Sequence, residues 1–288
     1  MSDTCLWEFR NLVLNLRDEA PPGFGADHLL PWLNEHPDVL TELREIGRPE
    51  NHRRRIDRGD DVLQGLYALS RLADILIGPY QPGNDDPELL AWTTKGPWWS
   101  GPLPSPDAWT AFRTALGAAS ITEDDFHPFF HEIVEVVPDE DPDAPPALVA
   151  EVWPGALAGG LVLVRAGVVV RAGARRLDPA VAARSCLYSA WWRRNRVCRD
   201  LSHGWGGNSQ WRTDFRRDYL VGDELHYNVD WAGRPDPNNP ADDDTDVTAD
   251  ERRDLLRHRH SLLRDLGTER WPYHDALVEA RTRPVLRR

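Results

Sequence analysis

The spacing of the apolar residues changes near residue 120, and that change limits the fold more than any other feature of the chain. Before it, apolar side chains recur every three to four positions, the period of a helix with one buried face. Cys5, Leu6, Phe9, Leu12, Val13 and Leu16 form the first such stripe, which Pro21-Pro22-Gly23 ends. Pro37, at a first helical position, opens a second through Leu40, Leu43 and Ile46, with Gly47 as its stop. Asp60 or Asp61 can cap a third through Leu63, Leu66, Tyr67 and Leu76, closed by Gly78-Pro79. Residues 81 to 106 are rich in Pro, Gly and Asp and read as a long connection. Ser105-Pro106 then begins a short helix carrying Trp109, Phe112 and Leu116.

After residue 120 the pattern turns strand-like. Ser120 with Glu123 predicts one capped helical turn. The run from His131 to Val137 predicts a strand, and Pro138 to Pro146 an acidic, solvated loop. Leu161 to Arg171 predicts a β-hairpin turning at Arg165-Ala166-Gly167, with the glycine in the left-handed position. Asp178-Pro179 predicts the start of a helix to about Arg196, and 211 to 231 a second hairpin. Thr248 with Glu251 is a capping box for a helix to about Leu266, and Trp271 to Arg288 reads as a further short helix with a basic end. The expected class is α+β: a helical N-terminal region packed on a small antiparallel sheet of hairpins, with a C-terminal helix. The regions are 1–119 helical, 120–231 mixed, 232–247 an acidic linker and 248–288 helical, together one compact domain.

Composition narrows function by exclusion. The 288 residues carry a formal charge of −13, which speaks against a broad nucleic-acid or membrane footprint. Hydrophobic residues make up 41% of the chain, enough to build a core. Lys95 is the sole lysine among 34 basic residues, a bias that fits a GC-rich bacterial genome and weakens any argument from arginine abundance. Cys5, Cys186 and Cys198 form neither a disulfide framework nor a zinc ribbon. The N-terminus lacks a basic region before an apolar run, and 156–170 is too interrupted to span a bilayer. The expected location is the cytoplasm.

One stretch is unlike the rest. From Ser202 to Arg212 three glycines alternate with Ser202, His203, Trp205, Asn208, Ser209, Gln210 and Trp211. Glycine lets backbone approach a ligand, and Asn, Ser, Gln and His supply directional hydrogen bonds. The stretch is neither a Walker A loop nor a dinucleotide fingerprint. Between Ala190 and Tyr219 seven arginines face three aspartates, a local +4 that favours an anionic ligand. Against this, Arg212, Asp214, Arg216 and Asp218 alternate in sign and would neutralise one another on a strand face.

The second hairpin can be written in register. A Gly222-Asp223 turn of type II′ sets Val221 opposite Glu224, Leu220 opposite Leu225 and Tyr219 opposite His226. One face then gathers Arg217, Tyr219, His226 and Asn228, with Phe215 and Asp230 further along. The other gathers Leu220, Leu225, Tyr227 and Val229 as core, with Arg216 and Asp218 as ill-fitting members. A helix over 209–220 competes, since Trp211, Phe215 and Tyr219 are four apart; the strand is preferred.

The candidate site therefore combines His203 and His226 as proton-transfer groups with Trp205, Asn208, Ser209, Gln210, Arg212, Arg217, Tyr219 and Asn228 as ligand contacts. The expected ligand is a small phosphate- or carboxylate-bearing molecule, and no cofactor is implied. The competing reading is an acidic interaction module, such as an immunity or antitoxin-like partner of a basic protein. Three further constellations are weaker. His127, His131, Glu132 and Glu135 make an incomplete metal set, better read as structural or general-base histidine. Cys198 with His203 makes a nucleophile pair by sequence proximity alone. Trp191, Trp192, Arg193, Arg194 and Arg196 could hold a single strand by stacking, which the net charge opposes.

Overall fold

A computed structural model describes residues 4–19, 24–57, 60–81, 103–179, 184–185, 197–198, 215–231, 248–258, 263 and 275–281. Within them the fold is α+β. The N-terminal helices follow the apolar stripes: α1 (Glu8–Glu19), α2 (Leu30–Glu35) after a π-helical turn at Phe24–Leu29, α3 (Pro37–Gly47), α4 (Asp61–Ile77) and α5 (Pro106–Ala115). Pro37 sits in the first turn of α3, and the Asp60 carboxylate caps α4 by accepting the Val62 N–H at 2.8 Å. Leu63, Leu66, Leu69, Leu72 and Leu76 are all buried, so α4 is the central helix, with α1 packed along it. Its Arg71 and Asp74 are also buried, paired one turn apart at 2.7 Å.

The strands fall into two sheets and a short pair. Five strands run in the order β10 (Leu277–Ala280), β9 (Glu224–Tyr227), β8 (Tyr219–Val221), β4 (Leu161–Val164), β3 (Ala156–Ala158), all antiparallel. Three more run in the order β1 (His131–Pro138), β5 (Ala166–Ala172), β2 (Ala147–Trp153), with β1 and β5 parallel. The 161–171 segment is therefore no hairpin. β4 and β5 belong to different sheets, and the chain crosses between them at Arg165. Trp153 explains the crossing: its indole N–H donates to the Arg165 carbonyl at 3.0 Å, and its ring lies on Gly167, where a Cβ would stand 2.3 Å away. The true turn in this region is Gly159-Gly160, which joins β3 to β4 with Gly159 at φ +59°.

Other expectations change locally. Ser120 caps no helical turn, and its hydroxyl instead accepts from Arg113. The helix expected to run to Arg196 is interrupted, because β6 (Arg184–Ser185) pairs in parallel with β7 (Val197–Cys198). The capping box at Thr248 and Glu251 is present, but its helix, α6, spans only Ala249–Arg257. The last described element is β10, a strand in the stretch where a short helix was expected. Asp139, Asp141 and Asp143 lie in an exposed loop, stitched by side-chain to backbone bonds and an Arg175–Asp143 pair. No helix among the described residues is long and apolar enough to cross a membrane.

The five-stranded sheet is the middle layer. Leu161 and Tyr219 on one face join the helical core with Leu43, Ile46, Leu76, Trp109 and Trp153. Val162, Leu225 and Tyr227 on the other join Phe129, Phe130, Ile133, Val168 and Val170 of the three-stranded sheet. The end of α3 docks on the β3–β4 turn, where the Gly160 N–H donates to the Gly47 carbonyl at 2.7 Å. A Cβ on Gly47 would stand 2.3 Å from the Ala158 carbonyl oxygen. Gly47→Ala is expected to cost about 1–3 kcal/mol through forced separation of these backbones. A fall of several degrees in Tm checks it.

Candidate functional site

The β8–β9 hairpin has the predicted register: Tyr219 opposite His226, Leu220 opposite Leu225, Val221 opposite Glu224. Gly222 takes φ +60° and Asp223 does not, the combination a type II′ turn requires. The residues ahead of the turn, Phe215 to Asp218, are irregular rather than helical. Of the expected polar face, Arg217, Tyr219 and Asp230 come together as scaffold. Arg217 is fully buried. Its Nε donates to Asp230 Oδ2 at 2.8 Å, its Nη1 to the Tyr219 hydroxyl at 2.9 Å, and its Nη2 to Asp230 Oδ1 and the Arg54 carbonyl. The Tyr219 hydroxyl in turn donates a hydrogen bond to the Ile46 carbonyl at 2.8 Å. Burial opposes the charge on Arg217, yet Asp230 and Tyr219 outweigh it and keep the guanidinium ionised above its ordinary range. Arg217 thus pins the hairpin to α3 and the 54–56 segment and does not face a ligand. Asn228, at φ +54°, is equally structural: its N–H donates to Asp218 at 2.7 Å and its amide to the Asp275 carbonyl at 2.8 Å.

The ill-fitting Arg216 and Asp218 resolve into a second buried network. Asp218 is 1% exposed and accepts from Arg165 at 2.5 Å and Arg216 at 2.8 Å, besides the Asn228 N–H. Arg165 also donates to the Pro128 carbonyl at 3.2 Å, and Arg216 to the Leu256 carbonyl at 2.7 Å. Burial alone would raise the Asp218 carboxyl; the two guanidiniums and the N–H hold it below the usual carboxylate range. Burial pulls the Arg165 guanidinium below its ordinary value despite Asp218. Sign alternation along 212–218 therefore ends, at Arg216 and Asp218, in mutual neutralisation.

Of that polar face His226 alone keeps some solvent contact, its side chain 12% exposed, and the structure gives it a neighbour the sequence reading missed. The His52 ring lies edge-on to it, centroids 4.4 Å apart and planes at 61°. His52 Nδ1 donates to the Pro49 carbonyl at 2.6 Å, which leaves its Nε2 without a hydrogen bond among the described residues. His226 Nε2 bonds Glu224 at 3.0 Å, which leaves its Nδ1. Arg53, Arg54 and Arg55 follow His52 with exposed side chains. Arg55 donates to the Asp230 carbonyl at 3.2 Å, while Arg54 lies within electrostatic reach of the Tyr219 hydroxyl. Neither Arg53 nor Arg54 has an ion-pair partner among the described residues. The available signal was the Arg53-Arg54-Arg55 run itself. Nothing local says that it meets a hairpin more than 170 positions later.

His127 and His131 serve the backbone. The Phe129 N–H donates to His127 Nδ1 at 3.1 Å, and the His127 N–H to His131 Nδ1 at 2.9 Å. Both imidazoles are held neutral. Burial pushes His127 down to about 4 against the pull of Glu279, with Arg257, Arg165 and Arg281 adding to the fall. Burial and then His127 push His131 to about 4. Among the described residues no three His, Cys, Asp or Glu side chains converge to hold a metal. His203, Trp205, Asn208, Ser209, Gln210 and Arg212 lie outside the described residues, as do Trp191 to Arg194 and the 232–247 linker. The chain matches no family model, no curated protein and no solved structure.

Proposed function

We propose that the protein binds a small anion, a phosphate or carboxylate group, where His52 and His226 meet beside Arg53 and Arg54. The observation that carries this is the edge-on histidine pair, one ring nitrogen of each without a hydrogen bond among the described residues, followed in the chain by two exposed arginines without carboxylate partners among them. Guanidinium forks suit phosphate and carboxylate oxygens, and an imidazole beside them can donate to the anion or move a proton on it. His226, hydrogen-bonded to Glu224, is the assigned proton-transfer group. His203 and Arg212, in the 202–212 stretch shortly before the hairpin in sequence, are the expected further ligand contacts.

Calorimetric titration with inorganic phosphate and with acetate tests the reading. Arg54→Glu is expected to weaken phosphate binding by about tenfold or more, the loss of one charge-assisted contact. His226→Ala is expected to weaken it as well. Absence of binding by either anion to the native protein sinks the proposal.

A further inference from the structure

One row of side chains crosses the five-stranded sheet on the face that meets the helices. Leu161 pairs with Tyr219, Tyr219 with His226 and His226 with Val278, one residue from each of β4, β8, β9 and β10. Residues directly opposite in neighbouring strands present their side chains to the same face, about 5 Å apart. Cover thins along the row. Leu161 and Tyr219 are fully buried, the His226 side chain keeps some solvent contact and Val278 is 54% exposed. The His52 ring lies against Tyr219 and His226, centroids at 6.4 and 4.4 Å, and β10 is the strand beyond it.

Val278 is the most exposed large apolar side chain among the described residues. Alternation puts Ala280 on its face, and Ala280 and Ala276 are exposed as well. Glu224, opposite Ala280, turns to His226 and bonds its Nε2 at 3.0 Å. β10 therefore presents a small apolar strip whose own residues carry no charge. A lone exposed valine on a surface needs no account, but this one stands beside the histidine of the candidate site. We propose that the anion at His52 and His226 is the head of an amphiphilic molecule, a carboxylate or phosphate bearing a short apolar chain, and that this chain lies on Val278 and Ala280. The inference rests on the anion reading of that site and adds a substrate class to it. A net charge of −13 opposes an anionic bilayer, so the ligand is a free molecule.

Calorimetric titration with acetate, butyrate, hexanoate and octanoate, and with phosphate against hexyl phosphate, tests it. A fully buried methylene tightens binding about fourfold, and on this half-open strip about twofold is expected, so hexanoate should exceed acetate by about tenfold or more. Val278→Ser, on an exposed position, is expected to lose most of that ratio. Arg54→Glu is expected to weaken every member of the series and to keep the ratio. Failure of every anion to bind removes the site and the chain contact together. Binding of acetate or phosphate with no gain from the alkyl chain overturns the chain contact alone. So does an equal ratio in the native protein and Val278→Ser. Capture of the protein by phosphatidylglycerol vesicles, without binding of the soluble series, overturns it as well.

Discussion

Asp218→Ala is expected to lower stability by about 3–5 kcal/mol, the range for removing one partner of a buried ion pair. The substitution strands two guanidiniums, Arg165 and Arg216, in the layer between the sheets. It also removes the acceptor of the Asn228 N–H. A domain of ordinary stability has only 5–15 kcal/mol in all, so the variant is expected to be close to its unfolding threshold at 37 °C. Denaturant titration reads the loss. A triple variant, Arg165→Met, Arg216→Met and Asp218→Leu, separates two explanations. If isolation of charge is the cause, the triple variant recovers a large part of the loss, since no charge is left buried alone, while the Asn228 N–H and the Pro128 and Leu256 carbonyls lose these partners and hold back the rest. If the network itself carries the stability, the triple variant stays as low as Asp218→Ala.

The second large effect is on acid stability. His127 and His131 fall from 6.5 in the unfolded chain to about 4 in the fold. The unfolded state therefore takes up protons first as pH drops. The stabilisation is complete above pH 6.5, declines from there, and is gone near pH 4. Its size is about 3 kcal/mol for each histidine. Asp218 follows at lower pH: its carboxyl is depressed in the fold, so its contribution holds above its ordinary value and is lost below it. Urea midpoints measured from pH 7.5 to pH 4 are expected to fall steeply. The double variant His127→Asn, His131→Asn keeps an uncharged acceptor, Oδ1, near the position of each Nδ1. Its midpoint is expected to change little over that range. An equal slope in both proteins would remove the histidines from the account.

These effects rest on side chains whose types were visible in the sequence and whose partners were not. The hairpin register was legible because two independent signals agree there: alternation of side chains and a glycine at the first turn position. The β4–β5 crossing was not. Leu-Val-Leu-Val-Arg-Ala-Gly-Val-Val-Val reads the same whether its halves pair with each other or with strands elsewhere, since both halves are buried. Only Trp153, twelve residues earlier, decides it. β2 escaped because it is an edge strand with mostly exposed side chains and no apolar alternation. β10 escaped because four residues with half of them exposed give too short a signal. At the candidate site, His226 was found from local register. His52 and Arg54 were not, because a contact across 170 positions leaves no trace in local spacing. Arg217 looked like a ligand contact for the same reason, since its true partners are Asp230 and the backbone of Arg54.

The crossing at Arg165 also bears on the order in which the chain can fold during synthesis. β4 and the first two members of the other sheet leave the ribosome long before β8, β9 and the Asp218 carboxylate do. Until residue 218 emerges, Arg165 lacks its carboxylate partner and β4 has only β3 beside it. Pairings so distant in sequence close slowly. The nascent protein must therefore carry an open sheet edge through the translation of more than fifty residues, and its helical layer is the part available to shield that edge.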